Sequence, residues 1–222
     1  MNDAVLHRCP LFQGLEGDAL QYALAFFEAK EKSYRKGELL NRIGAPLSSF
    51  ALVLDGIVQV YMDDIEGNHM IMANVGPGET FGESLCFLGC DTHVYICSET
   101  DCTVLQMKTN RIHNMAGSTS PTDTDLTVRF ASMLAERTLR MNDRIQILSK
   151  STTREKLLTL FSQYLYKNGT REFKLPFNRD SMAVYLGVNR SALSRELGAM
   201  QREGIISFRK NEFKLLENFI EL

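Results

Sequence analysis

The sequence predicts an α+β fold whose N-terminal half is β-rich, whose middle is one long helix and whose C-terminal part is mostly helical. Three observations predict it. From about Leu11 to Met107, short β-prone runs are broken by turn residues at roughly ten-residue intervals. From about Asp123 to Leu148, apolar residues recur at a heptad spacing. Beyond Ser151, an amphipathic helix precedes two shorter helices and a pair of β-prone runs.

Taken in order, Leu20 to Phe27 reads as a leading helix. The runs behind it include "ALVLDGIVQVYM", turning at Asp55-Gly56, "DDIEGNHMIMANV", turning at Glu66-Gly67, and "VGPGETFGE". Repeated strands with glycine turns indicate an antiparallel barrel or sandwich. In the long helix, Ala131, Thr138 and Ile145 occupy one position of the repeat and Leu134, Met141 and Leu148 the other. That is a short coiled-coil seam, and it predicts a homodimer. Leu126, Phe130 and Met133 lie off the seam, where they pack on the barrel.

The C-terminal part opens with "STTREKLLTLFSQYL", whose Leu157, Leu158, Phe161, Tyr164 and Leu165 form an apolar face. "RDSMAVYLGV" then reads as a short helix stopped by Gly187, and "LGVNRSALSRELGAMQREGII" holds a second, N-capped by Asn189. Leu193, Leu197 and Met200 make one stripe of that second helix. Ser191, Ser194, Arg195, Gly198 and Arg202 fall on the opposite side, a thin face that another molecule can approach. Small Ala183, turn-forming Gly187 and apolar Leu193 have helix-turn-helix spacing. "GIISFRKNEFKLL" follows as a hairpin wing around Arg209, Lys210 and Asn211.

Composition bounds the partners. The 222 residues carry a net charge of −2, but residues 149–222 hold 13 Lys and Arg against 8 Asp and Glu, while residues 1–148 hold 12 against 19. Only the basic C-terminal part suits a polyanion. The five cysteines, an odd number, argue for reduced thiols rather than a disulfide framework. No stretch of about 18 apolar residues and no secretory leader are present, so a cytoplasmic protein with no membrane partner is expected. His69 and His113 read as surface residues, His7 lies near the N-terminus, and no nucleotide-binding loop or nucleophile motif points to an enzyme.

The order of barrel, dimer helix and winged helix resembles the Crp/Fnr superfamily of bacterial regulators, typified by the cyclic-AMP receptor protein. The resemblance rests on "KGELL" (36–40), "LDGIVQVY" (54–61), "GPGETFGESLCFLG" (76–89) and "NRDSMAVYLGVNRSALSRELGAMQREGII" (178–206). It implies a β-roll, a double-stranded β-helix or jelly roll of the cyclic-nucleotide-binding kind, as an effector-sensing domain over residues 1–121. A dimerisation helix over 122–148 and a winged helix-turn-helix over 149–222 complete it. The partner it implies is double-stranded DNA, a near-palindromic operator bound by the homodimer, with RNA polymerase a candidate further partner.

Matched to the family motif, Arg190, Ser191, Ser194 and Arg195 occupy base-reading positions, and Asn178, Arg179 and Asn189 positions that touch phosphate. A major groove admits one helix, and an arginine fork fits the O6 and N7 of guanine. Many relatives carry Glu where this chain has Ser191, so their half-site sequence does not transfer. Arg190 lies at the edge of the exposed arc, where phosphate and base contact are nearly balanced.

For the effector, charge decides against cyclic AMP. Members that bind it pair its phosphate with an arginine after the "GE" dipeptide, whereas Gly82 through Met107 contains no Lys or Arg and four acids, Glu83, Asp91, Glu99 and Asp101. Burying a phosphate there would be costly. The expected pocket for a different small effector comprises Gly82, Glu83, Ser84, Thr92 and His93, with Arg137, Arg140 and Met141 on the dimer helix. The effector and any cofactor stay unidentified. One alternative is a metal, haem or redox sensor using Cys86, Cys90, His93 and Cys97, against the commoner fate of cysteine as a small buried hydrophobe. The other is an interaction or ligand-binding module that does not bind DNA.

Overall fold

The computed structural model describes residues 3–63, 69–114 and 120–219, without the side chain of His69, and divides into two compact units, Met1–Ala135 and Glu136–Leu222. The first begins with α1 (Asp3–Leu6) and α2 (Gly17–Phe26). Strands β1 (Lys30–Tyr34), β2 (Leu39–Asn41), β3 (Phe50–Asp55), β4 (Val58–Asp63), β5 (His69–Val75) and β6 (Thr80–Phe81) follow. Then come α3 (Glu83–Leu88), β7 (Tyr95–Ser98), β8 (Cys102–Met107) and α4 (Asn110–His113).

These strands form two antiparallel sheets, ordered β1-β8-β3-β6 and β2-β7-β4-β5. The pairing is concentric: β1 meets β8, β2 meets β7, β3 meets β6, and β4 and β5 form the innermost hairpin. A long hairpin rolled on itself is a jelly roll, the architecture the resemblance implied. Strand β3 is apolar along most of its length because both of its faces are covered. Ala51 and Val53 face a core with Val58, Val75, Phe81, Ile96 and Val104. Phe50 and Leu52 face a second core with Phe12, Phe26, Phe27, Leu105 and Met107. At the Asp55-Gly56 turn, Gly56 has φ +79°, and a Cβ there would stand 2.3 Å from the Asp101 carbonyl oxygen, so only glycine closes the turn. The Glu66-Gly67 turn lies outside the described residues.

Helix α5 (Pro121–Leu148) contributes Leu126, Phe130 and Met133 to the second of these cores, as their position off the seam predicted. Phe130 packs 5.5 Å from the Phe50 ring. Leu134, a seam position, is partly buried against the same core. Of the other seam positions, Ala131 and Thr138 are exposed, as are Met141, Ile145 and Leu148.

The second unit takes the last turns of α5, then α6 (Thr153–Asn168), β9 (Glu172–Lys174), α7 (Arg179–Leu186), α8 (Arg190–Arg202), β10 (Ile206–Arg209) and β11 (Glu212–Leu215). Helix α6 starts at a capping box in which the Thr152 side chain accepts from Glu155 N and Glu155 accepts from Thr152 N. Its Leu157, Leu160 and Phe161 join Leu186, Leu193, Leu197, Met200, Ile206 and Phe213 in one core. Strands β10 and β11 form the expected wing, turning at Lys210, whose φ is +55°. Strand β9 adds itself to β11 as a third strand that "KNGTREFKLPF" did not announce.

Candidate nucleic-acid interface and sensor site

The interface is built from α7, its turn and α8. Asn178 caps α7, its Oδ1 accepting from Ser181 N at 2.9 Å while Asn178 N donates to Ser181 Oγ at 3.0 Å. At the other end Gly187 is left-handed, and Val188 N closes the turn on the Ala183 carbonyl at 3.0 Å. Lys156 Nζ donates to the Leu186 carbonyl at 3.0 Å, satisfying a carbonyl the helix leaves open. Ala183 is buried at the helix crossing, and Leu193 is fully buried beyond the turn. Burying a leucine of this kind stabilises by about 1.5–3 kcal/mol, which is what holds α8 at a fixed angle to α7.

That anchoring leaves Arg190, Ser191, Ser194 and Arg195 exposed along the opposite face of α8. Among the described residues Arg195 has no hydrogen-bond or ion-pair partner. Arg190 does have one: its Nε lies 3.2 Å from Asp180 Oδ1 on α7. The acids nearest Arg195 in sequence are taken elsewhere. Arg154 on α6 donates from Nε to Glu196 at 2.6 Å and from its two terminal nitrogens to Glu203 at 2.8 and 2.6 Å. The Glu203 and Glu196 carboxylates push the Arg154 pKa up, and the Arg154 hydrogen bond holds Glu203 below its ordinary range.

The three positions expected to touch phosphate differ in what they have free. Asn189 begins α8 and is exposed, with no side-chain capping bond. Asn178 spends its side-chain oxygen on the cap of α7. Arg179 is half-buried: its guanidinium lies 4.8 Å from the Phe208 ring centre and 5.5 Å from that of Phe213, and burial lowers its pKa. It ties α7 to the wing. Exposed Arg209 and Lys210, at the wing tip, are cations that the site assignment omitted although the hairpin reading had placed them. The Arg154 clasp gave no sequence signal, because its partners are far along the chain.

In the roll, the expected pocket residues differ in exposure and in what they already bind. Gly82 is left-handed, and a Cβ there would meet Leu47 Cδ2 at 2.4 Å. Glu83 is buried and accepts a hydrogen bond from Thr80 Oγ1. Ser84 and His93 are exposed. Thr92 is buried, but its hydroxyl is used in a turn: it donates to the Val94 carbonyl at 2.9 Å and accepts from Val94 N at 3.2 Å. Arg137, Arg140 and Met141 belong to the other compact unit, where Arg140 pairs with Glu136 at 3.5 Å. Two clefts lie elsewhere on the roll. One of about 430 Å³ is lined by Tyr34, Arg35, Glu38, Asp55 and Asp101, and one of about 470 Å³ by Leu47, Cys86, Phe87, Lys108, Thr109 and His113. His113 is exposed, its ring stacked 4.6 Å from that of Phe87.

The proposed metal set is dispersed. Cys86 is buried, 3.7 Å from Thr109 Oγ1, Cys90 and His93 are exposed, and Cys97 is half-buried on β7. Among the described residues no three Cys, His, Asp or Glu side chains come together to hold a metal ion. Burial pushes the Cys97 thiol up, with Glu99 adding to it, and pushes Cys9 to about 11, with Glu83 adding to it. Neither is poised as a thiolate. Among the described residues no helix is long and apolar enough to cross a membrane.

Comparison with known proteins follows this division. Residues 31–118 match the cyclic nucleotide-binding domain family, and residues 154–217 match the Crp-like helix-turn-helix domain family. The transcriptional activator protein FnrL of Cereibacter sphaeroides is 22% identical over 201 residues, spanning 86% of this chain and 78% of that protein. The cyclic AMP receptor protein of Thermus thermophilus is 24% identical over 208 residues, 89% of this chain and 88% of that one. Among solved structures, the catabolite activator protein of Thermus thermophilus superposes with a TM-score of 0.51 at 22% identity, covering 94% of each chain. CprK complexed with OCPA superposes at 0.61 with 15% identity, covering 90% of this chain and 91% of that one.

Proposed function

Because this chain belongs to the Crp/Fnr family of DNA-binding transcription regulators, we propose that it reads a near-palindromic duplex as a homodimer and is switched by a small effector other than cyclic AMP. The observation that carries the DNA reading is the α8 face, where two arginines and two serines stand exposed over a fully buried Leu193, Leu197 and Met200. Arg195 is the principal base reader, Asn189 contacts phosphate, and the wing tip at Arg209 and Lys210 supplies further phosphate contacts. The exposed apolar residues Met141, Ile145 and Leu148 on α5 support the dimer.

The effector reading rests on charge and packing. Gly82 through Met107 has no Lys or Arg, Thr92 spends its hydroxyl on a turn, and Val53, Val58, Val75, Phe81, Ile96 and Val104 cluster as an apolar core that offers no charge to a phosphate. An effector that binds better to the DNA-competent arrangement shifts the population toward it.

Duplex binding by the full chain, measured by fluorescence anisotropy across a salt series, tests the DNA reading. Contact with several phosphates makes affinity fall steeply as salt rises, whereas a protein-binding module shows little dependence. Sedimentation tests the dimer, which Ile145→Glu is expected to weaken. Calorimetric titration with cyclic AMP is expected to give no saturable heat, and a saturable site would overturn the effector assignment.

A further inference from the structure

Helix α7, helix α8 and the α8 C-cap carry three carboxylates, and each is tied to an arginine. Glu196 and Glu203 are drawn to Arg154 on α6, away from the reading face. Asp180 is different, since its partner is Arg190, the first residue of the reading helix. Both side chains of that pair are about two-thirds exposed, 66% for Arg190 and 68% for Asp180, so the pair adds little to folding. Its consequence is geometric. Asp180 sits in the first turn of α7, where the helix N-terminus favours a carboxylate, and so it sets a negative charge beside Arg190.

With the Asp180 carboxylate 3.2 Å from Nε as an ion pair, the guanidinium keeps its two terminal nitrogens as a planar fork for an acceptor pair. Two kinds of acceptor compete for that fork. A phosphate brings its negative charge next to the Asp180 carboxylate and is repelled. A guanine edge offers O6 and N7 without net charge and is not. We propose that Asp180 is a specificity-determining residue: it aims Arg190 at a base edge, guanine first, and withholds it from the phosphate backbone. The balance that the position of Arg190 on the helix leaves open is thereby tipped from α7. Ser191 places no acid on α8 itself to do this.

The inference rests on the reading of α8 as a DNA-reading helix, and its test separates the two. A randomised duplex pool is selected with the full-length wild type, D180N, R190A and the double variant, and each selected pool is sequenced. Anisotropy with a random-sequence duplex at several salt concentrations accompanies it. The wild type is expected to prefer guanine roughly tenfold at the position that R190A loses. D180N is expected to lose most of that preference, bind the random duplex more tightly and steepen the salt slope by about 0.9, the signature of one added phosphate contact. The double variant should match R190A in base preference. If D180N keeps the wild-type preference, or if R190A keeps it, the proposal falls while the DNA reading stands. If the wild type enriches no sequence and binds duplex without salt dependence, the DNA reading itself fails.

Discussion

The reading helix and the interior of the roll treat polar groups in opposite ways. On α8 the buried stripe is purely apolar and the polar residues stand in water, with one arginine steered by a neighbour and one left open. In the roll a carboxylate, Glu83, and a hydroxyl, Thr92, are buried and already satisfied by Thr80 and Val94. The contrast teaches that a surface reader needs only support beneath it, whereas a sensor needs its polar groups released from one another. The reader needs nothing further from its own unit, whereas in the roll Glu83 and Thr92 answer to their own chain and Asn41 Nδ2, on β2, is buried without a hydrogen-bond partner.

The largest test of this contrast is in the two cores. Phe130→Ala is expected to cost about 3–5 kcal/mol, and Leu193→Ala about 2–5 kcal/mol. The chain has no tryptophan, so chemical denaturation is followed by circular dichroism. The first change should lower the transition of the roll and the second that of the DNA-binding unit. Transitions that move together in both variants would make the two units one cooperative block and dissolve the comparison.

Next in size is Arg195→Ala, which should cost about 1–3 kcal/mol of base discrimination while leaving the melting transition unchanged. Unaltered sequence preference in a duplex selection would remove Arg195 from the reading face. Arg179→Ala should cost about 0.5–2 kcal/mol of stability through the lost contact with Phe208 and Phe213. Its salt slope for duplex binding should stay that of the wild type. A slope reduced by about 0.9 would instead return Arg179 to the phosphate contacts.

The smallest effect is a pH dependence. Glu203 has its folded pKa lowered from an ordinary value of 4.5 by Arg154, so the folded state binds protons less readily than the unfolded one. Its stabilisation is complete above that ordinary value and is lost as pH falls through the lowered one. Thermal melts across the acidic range should show Glu203→Gln converging on the wild type at the acidic end. A difference that stays constant with pH would mean that the clasp does not act through charge.

Much of this was legible from periodicity. The alternation and glycine turns of the roll, the stripe of α8 and the inward set Leu126, Phe130 and Met133 are properties of spacing along one element, and spacing is what a sequence displays. What escaped depends on two elements meeting. Strand β9 is only three residues long, too short for alternation to register. The Arg190 pair with Asp180 requires the crossing of α7 and α8, and the stacking of Arg179 requires the wing to fold over it. Leu134 fits a heptad as well as it fits the core, and only packing distinguishes the two. The cysteines and His93 cluster along the chain, but Cys86 lies on α3, Cys90 and His93 in the loop after it and Cys97 on β7, so nearness in sequence does not bring them together.

The pairing of β9 with β11 also sets an order of assembly. Synthesis proceeds from the N-terminus, and β1 and its partner β8 both precede α5 in the chain. Strand β9 has no such luck: its partner is made only after α7, α8 and β10. Until then its edge is open and the wing cannot lie beside Arg179. In a growing chain the third strand of the wing therefore waits for β11, and the sheet of the second unit is the last to close.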